Sequence, residues 1–445
     1  MFWRFLFALF FFSFLTTLNA FSQEESADSQ IEEIQVKKKD QQNQTETSEG
    51  IKFSELMTYN DQYFHPFFSM VFNSTDNVYK TQDDHVSDSF LFSVPGFWVA
   101  YPPSKEPAVQ LNTSSTSAGG LSGSRESSES SHQLQSYLYY AVDFQQHAKE
   151  KENDRQNQTL EGSVQLQLKG GLGFEIVGQF KENSKFGGLT SEESEVATND
   201  YQSKLYELSI DYQLSESFII RTGFRSFEVD MIDVENDSLD RIDKAYTLNL
   251  GWGVSEITKL TIDYNQIRVE FRTNENHSTQ YQITGNIDWQ ASEKTAVNFG
   301  IGQSKRNFDD SETSDSETTT YSLSLGYQLT DKASLGVSAD RNSTESDTAE
   351  YQYLNTQSWS ISYKQQFNQK FAGNLKYTDT KNENIDTSGQ VAKTDIVIKK
   401  ESAFTYGFRE WLKMEAGFSN SISNSSIEGY SIEVNQFFIG ISAAF

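Results

Sequence analysis

Tyr206-Glu-Leu208-Ser-Ile210-Asp-Tyr212, Tyr246-Thr-Leu248-Asn-Leu250-Gly-Trp252, Tyr281-Gln-Ile283-Thr-Gly-Asn-Ile287-Asp-Trp289 and Tyr321-Ser-Leu323-Ser-Leu325-Gly-Tyr327 repeat one pattern: a ring, alternating aliphatic and polar residues, and a second ring. Trp359-Ser-Ile361-Ser-Tyr363 is a shorter copy. Alternate side chains of a β-strand point to opposite faces, so each copy has one apolar face bracketed by rings and one polar face. Strands of transmembrane barrels are built this way, with lipid outside, water inside and aromatic girdles at both interfaces. The girdle set is therefore Tyr206, Tyr212, Tyr246, Trp252, Tyr281, Trp289, Tyr321, Tyr327, Trp359 and Tyr363.

Composition agrees with that reading. Only 36% of the 445 residues are hydrophobic while 14% are aromatic. After the N-terminus no apolar run approaches the roughly 20 residues a membrane helix needs, whereas a barrel strand turns only every second residue to lipid. Cysteine is absent, which removes thiolate chemistry, and all five prolines lie at or before Pro107, leaving the rest of the chain free to pair. A net charge of −27 excludes nucleic acid as a partner.

Arg4 followed by the apolar stretch Phe5 to Leu15 and by Asn19-Ala20 reads as a signal peptide over 1–20. Residues 21–61 are polar and read as a disordered periplasmic leader. From 62 to 445 the sequence predicts an all-β, antiparallel, up-and-down transmembrane barrel of about 18 strands, centred from Phe68 to Val434. Short connections at Leu214 to Ser217, Val254 to Glu256, Ala291 to Lys294, Leu329 to Lys332 and Phe408 to Trp411 alternate with long polar ones. The long ones lie near Asn183 to Asp200, Glu228 to Asp240, Phe308 to Thr319, Arg341 to Ala349 and Lys381 to Lys393. Barrels in the outer membrane of Gram-negative bacteria put short turns in the periplasm, so both termini are expected there. Outer-membrane lipid and lipopolysaccharide are then the surroundings. The ending Phe438-Ile-Gly440-Ile-Ser-Ala443-Ala-Phe445 resembles the C-terminal signal read by the barrel assembly machinery, with Phe438, Gly440, Ala443 and Phe445 as its residues.

The sequence offers little for catalysis. His65, His85, His132, His147 and His277 are scattered, no phosphate loop opens a helix, and no acidic run has metal-ligand spacing. A non-enzymatic barrel with no catalytic residue, metal or cofactor is expected. What remains is the polar face of the strands. Opposite the rings, Glu207, Asp211, Arg221, Arg225, Asp263, Gln282, Asn286, Asp288 and Lys376 are expected to point inward and line a substrate path. Charges of both signs among hydroxyls and amides suit polar solutes better than one class of ion. Neutralising Glu207, Asp211 and Asp288 together is expected to change conductance while leaving assembly intact.

Asp76-Asn77-Val78-Tyr79-Lys80-Thr81, then Ser87-Asp88-Ser89 and Ser93-Val94-Pro95-Gly96, resembles the opening hairpin of the bacterial outer-membrane β-barrel porin family associated with exopolysaccharide gene clusters. The resemblance covers about twenty residues. It implies a channel passing exopolysaccharide or another polar saccharide across the outer membrane, with periplasmic polysaccharide-export proteins as partners. A general diffusion or nutrient porin, or a surface-binding, adhesin-like barrel, would share the fold. The diffusion porin should carry a constriction loop inside, and no connection after an odd strand is long enough for one. A Ser-rich stretch, 111–133, departs from the family and reads as a periplasmic segment or a neutral insertion.

Overall fold

The computed structural model describes residues 62–104, 111–121, 133–189, 196–232, 234–273, 277–311, 313–346, 351–427 and 431–445. The signal-peptide and leader readings over 1–61 lie outside the described residues. Eighteen strands follow one another: β1 Phe64–Thr75, β2 Asp88–Tyr101, β3 Leu134–His147, β4 Arg155–Gln167, β5 Leu172–Leu189, β6 Val196–Ser215, β7 Phe218–Met231, β8 Arg241–Ser255 and β9 Thr258–Phe271. The second half continues with β10 Ser278–Ser292, β11 Thr295–Phe308, β12 Ser316–Thr330, β13 Ala333–Glu345, β14 Tyr353–Gln366, β15 Phe371–Ile385, β16 Val391–Arg409, β17 Leu412–Ser425 and β18 Ile432–Ala444. Every strand pairs antiparallel with its neighbours in sequence, and β1 also pairs with β18, so the sheet closes with no free edge.

The two rims differ because the sequence between strands differs. Five two-residue turns, Glu216–Ser217, Glu256–Ile257, Glu293–Lys294, Asp331–Lys332 and Glu410–Trp411, lie on one rim with the end of β18 and the start of β1. Before each of them the register slips by one residue, which leaves Leu214, Val254, Ala291, Leu329 and Phe408 unpaired. Such a bulge bends the strand and re-aims its extra side chain. Leu214, Val254, Leu329 and Phe408 are exposed there as an apolar fringe. Apart from the β2–β3 connection, which leaves the short-turn rim, the longer connections lie on the opposite rim, one of them carrying a 3₁₀ turn at Val234–Leu239.

Two of the expected long loops are mostly strand. Asn183 to Asp200 is covered by β5 running to Leu189 and β6 beginning at Val196, and Lys381 to Lys393 by β15 running to Ile385 and β16 beginning at Val391. Alternation is lost there because a hairpin standing above the apolar belt has no face that must be apolar. Backbone pairing is satisfied all the same.

Candidate functional site

Exposure separates the two faces. Tyr206, Leu208, Ile210 and Tyr212 are 37–49% exposed, while Glu207, Ser209 and Asp211 between them are 1–8% exposed. Nothing covers the outer wall of an isolated barrel, so the ring-bearing face looks outward and the buried polar face looks into the lumen. Tyr246, Trp252, Tyr281, Trp289, Tyr327 and Trp359 are exposed on the outer face, and Tyr321 and Tyr363 are half-buried. Phe224 stands 5.3 Å from Tyr246, and Trp359 5.1 Å from Tyr377, as neighbouring rings across strands.

Inside, β5 to β10 carry a charged and polar ladder. Arg221 donates to Glu175 at 2.5 Å and to Ser209 at 2.8 Å, and Arg225 donates to Glu207 at 3.0 Å. Arg221 also stands 3.9 Å from Glu207, so two arginines and two glutamates interleave across β5, β6 and β7. Gln167 donates to Asp211, and Asn249 and Asn286 both donate to Asp263. Gln282 is half-buried on β10, as is Asp288. Lys376 is half-buried on β15, across the barrel from this ladder. The structure therefore brings Glu207, Arg221 and Arg225 into one cluster and links Asp263 with Asn286, but leaves Lys376 apart. Glu207 is a structural partner of Arg225, so its neutralisation is expected to lower the stability of the wall as well as to alter the lumen. Removing one member of a buried pair costs about 3–5 kcal/mol.

The main finding inside the barrel is a segment the sequence reading placed elsewhere. Residues 111–121, between β2 and β3, lie in the lumen. Leu111 donates its N–H to Glu161 on β4 and accepts from Gln179 on β5, whose side chain also accepts from Thr113. Farther along, Arg241 on β8 donates to the carbonyls of Ser115 and Ser117, and Gly119 N–H donates to Asp243 at 2.8 Å. Glu345, at the end of β13, donates its N–H to the Thr116 carbonyl at 2.6 Å. Strands β4 and β13 stand opposite each other in an eighteen-strand ring, so a chain bonded to both crosses the interior.

Apolar contacts hold the segment as well. Leu111 and Leu121 join Val177, Leu205, Phe227 and Val229, and Ala118 joins Ala245, Ile267 and Val269. Gly120, at φ +81°, lies so close to Phe227 that an added Cβ would stand 2.5 Å from the ring. Only glycine fits that approach. The Ser-rich stretch is thus neither a periplasmic arm nor a neutral insertion over 111–121. The connection that enters the lumen follows an even strand, on the short-turn rim. A signal for it was present in the sequence: Leu205, Phe227, Val229, Ile267 and Val269 are apolar at inward positions, which a water-filled wall would not carry.

The family-like hairpin has a structural role at the long-loop rim. Asp76 accepts from the backbone and side chain of Asn435, and Asn77 donates to the carbonyls of Thr81 and Glu433, tying the β1–β2 connection to β18. Asp88 accepts from His147 and from the backbone of Ser89, Lys149 and Glu150. At the chain's end Phe445 and Ala443 face outward, with Phe445 N–H on the Pro66 carbonyl and its ring 5.3 Å from Trp411. Phe438 and Gly440 lie on the inner face, where Gly440 makes room for Val71 and Gly417 for the Phe438 ring.

Among solved structures the chain is similar to OccAB4 of Acinetobacter baumannii, at 8% identity and a TM-score of 0.46, covering 86% of this chain and 99% of that one. It is similar to the outer membrane protein OpdK of Pseudomonas aeruginosa, at 9% identity and a TM-score of 0.45, over 87% and 99%. It is also similar to the siderophore receptor PirA of Pseudomonas aeruginosa, at 10% identity and a TM-score of 0.43, over 86% and 80%. No curated protein sequence matches the chain. The family-model match lies outside the 76–96 hairpin: residues 255–445, from the turn before β9 through β18, match the model of the family described as "Putative beta-barrel porin 2".

Proposed function

We propose that this barrel is an outer-membrane channel for exopolysaccharide or another polar saccharide, with the 111–121 segment as its constriction. The long loops then face the exterior and both termini the periplasm, so the segment enters from the periplasmic side. The observation that carries the reading is the inner wall. Hydroxyls and amides predominate on it, Arg221 and Arg225 are paired with carboxylates, and among the described residues no ring of one charge sign lines it. Such a wall exchanges hydrogen bonds with sugar hydroxyls at little net cost and holds no ion strongly. Exported polymer would need the segment to shift, because the chain crosses the path.

The same segment favours a second reading, a diffusion porin for small polar solutes, because an internal constriction is what that class requires. A reversible staple separates the two. The chain has no cysteine, and a Cβ built at Gly119 lies 3.4 Å from the Ala245 Cβ, close to the separation a disulfide needs. In vesicles, oxidised G119C/A245C should stop long neutral saccharides while short ones still pass, and reduction should restore passage. Gene deletion in the host should hold polymer in the periplasm. Normal extracellular polymer after deletion, with passage of short saccharides only, would establish the diffusion porin. A barrel that passes no neutral saccharide in either redox state would overturn both.

A further inference from the structure

The inner face of β14 to β16, across the barrel from the arginine ladder, carries a row of lysines. Ile361 of β14, Leu375 of β15 and Phe404 of β16 are exposed on the outer face, so alternation turns Lys364, Lys376 and Lys399 inward. Lys364 is exposed there, and Lys376 and Lys399 are half-buried, so water reaches all three. Strand register sets them in line. Lys364 stands opposite Asn374, and Lys376 is two residues farther along the same face of β15. Lys376 stands opposite Glu401, and Lys399 is two residues from Glu401 on β16. Both steps lead toward the long-loop rim, so the lysines climb the wall diagonally, each about 7–8 Å from the next.

The row is richer in positive charge than its surroundings. Glu401 pairs with Lys399 at 3.0 Å and is the one carboxylate the inner faces of β14 to β16 set within it. Above the row Lys393 pairs with Asp395 at 3.1 Å, and below it Lys413 is balanced by Glu415, two residues on along β17. In the ladder opposite, Arg221 pairs with Glu175 and Arg225 with Glu207. Three lysines and one carboxylate therefore leave net positive charge on one strip of the lumen, in a chain whose net charge is −27. Ser362, Asn374 and Thr378 beside them are half-buried and uncharged. The hydrogen bonds that hold 111–121 go, among the described residues, to β4, β5, β7, β8 and β13 and not to this strip. The row lies on the side of the lumen that the segment leaves open.

We infer that Lys364, Lys376 and Lys399 form a track for an acidic saccharide, whose sugar carboxylates pass from one lysine to the next along the open wall. The inference rests on the channel reading above and adds the charge class of the solute. Ion pairs in a wetted wall are individually weak. A conducting path needs that weakness, because sites must be favourable enough to enter and loose enough to leave. The hydroxyls and amides beside the row can exchange hydrogen bonds with the sugar rings while the lysines meet the carboxylates.

Single-channel currents in planar bilayers test this, with the trisaccharide of galacturonic acid as the acidic probe and maltotriose as the neutral one. The acidic probe should interrupt the current of the natural protein. Raising KCl from about 0.1 M to about 1 M should shorten the interruptions, as screening tightens from about 10 to about 3 Å. K364Q/K376Q/K399Q should shorten them about tenfold, the effect of losing three weak ion pairs. K364Q alone, a change at an exposed position, should shorten them about twofold. E401Q should lengthen them, and opposite responses to losing a lysine and losing a carboxylate are not what a structural role would produce. The open-channel current itself shows that each variant is inserted and folded. Equal interruptions in the natural protein and the triple variant, shorter ones in E401Q, or equally long ones from maltotriose would overturn the track. Maltotriose entering vesicles through the natural protein while the acidic probe is excluded would overturn the track and spare the channel. Entry of neither through a conducting barrel would overturn both.

Discussion

The inner face of β5 to β9 and that of β14 to β17 are made from similar residue types and are in different states. On the first, Glu175, Glu207, Arg225, Asp243 and Val269 are at most 8% exposed; the charged ones are paired within the wall or with the lumen segment, which covers part of the arc. On the second, Lys399 and Glu401 pair at 3.0 Å as next-but-one neighbours on β16, with side chains about a quarter exposed. Asn374, Lys376 and Thr378 of β15 are half-buried beside them. The difference teaches that polarity on an inward face does not tell whether water is there. One arc is a sealed interior that happens to be charged, and the other is a wetted wall.

The strongest way to break this contrast is to remove the segment. Tyr101 and Ser136 are paired, so joining Ser104 directly to Gln133 leaves six residues between the paired positions, an ordinary length for a short connection. The shortened barrel should still assemble, and its single-channel conductance should rise severalfold. An unchanged conductance would mean that the 111–121 segment does not bound the path. The apolar patch around Phe227 and Val229 would then be bared to water, so a modest loss of stability should accompany the larger current.

A second prediction sets one cation of each arc against the other. R225M leaves the Glu207 carboxylate buried with only Arg221 3.9 Å away, and should cost about 3–5 kcal/mol of stability in urea unfolding from lipid vesicles. R225M/E207Q should recover most of it. K399M on the open arc removes a pair about a quarter exposed and should cost no more than about 1 kcal/mol. Equal losses at both sites would erase the distinction between sealed and wetted walls.

These outcomes bear on what a sequence of this class discloses. Strand number, rim alternation and the face carrying Tyr206, Trp252 or Trp289 were legible because lipid imposes a periodic demand on every second residue. The bulges at Leu214 and Leu329 follow from the same regularity, since an apolar residue recurs before each two-residue turn. The ladder of Glu175, Glu207, Arg221 and Arg225 was legible only as a set of inward positions. Which charges meet depends on register across three strands, and alternation within one strand does not contain it. The lumen segment was illegible from its own composition, because serines and glycines there look the same whether bathed in water or hydrogen-bonded to a wall. It was written instead in its receptors, as Leu205, Phe227 and Ile267 at positions that a bare aqueous wall would fill with polar groups. The top of the β15–β16 hairpin, expected as a loop over Lys381 to Lys393, is strand for the opposite reason: above the apolar belt no solvent distinguishes its faces, so nothing in the pattern marks Lys381 or Lys393 as paired strand.

The smallest expected effect is at the long-loop rim above the sealed arc. Arg268 on β9 donates twice to Asp309, at 2.8 and 2.6 Å, clamping the β11–β12 connection across two strands. The hydrogen bond from Arg268 holds the Asp309 carboxyl below its ordinary range. A carboxyl depressed in the folded state contributes stability above its unfolded pKa of about 4, and that contribution is lost as pH falls through the lower folded value. A spin label at Ser311 should therefore keep constant mobility from pH 7 to about 5 and loosen only below about 4. D309N should abolish that acid step and leave the label mobile throughout. Both partners are partly exposed, so the clamp orders the loop while adding little to the stability of the barrel. Ion flow at pH 7 should accordingly be the same in D309N as in the natural protein. A change in conductance as large as that from removing the lumen segment would move the constriction from the interior to this rim.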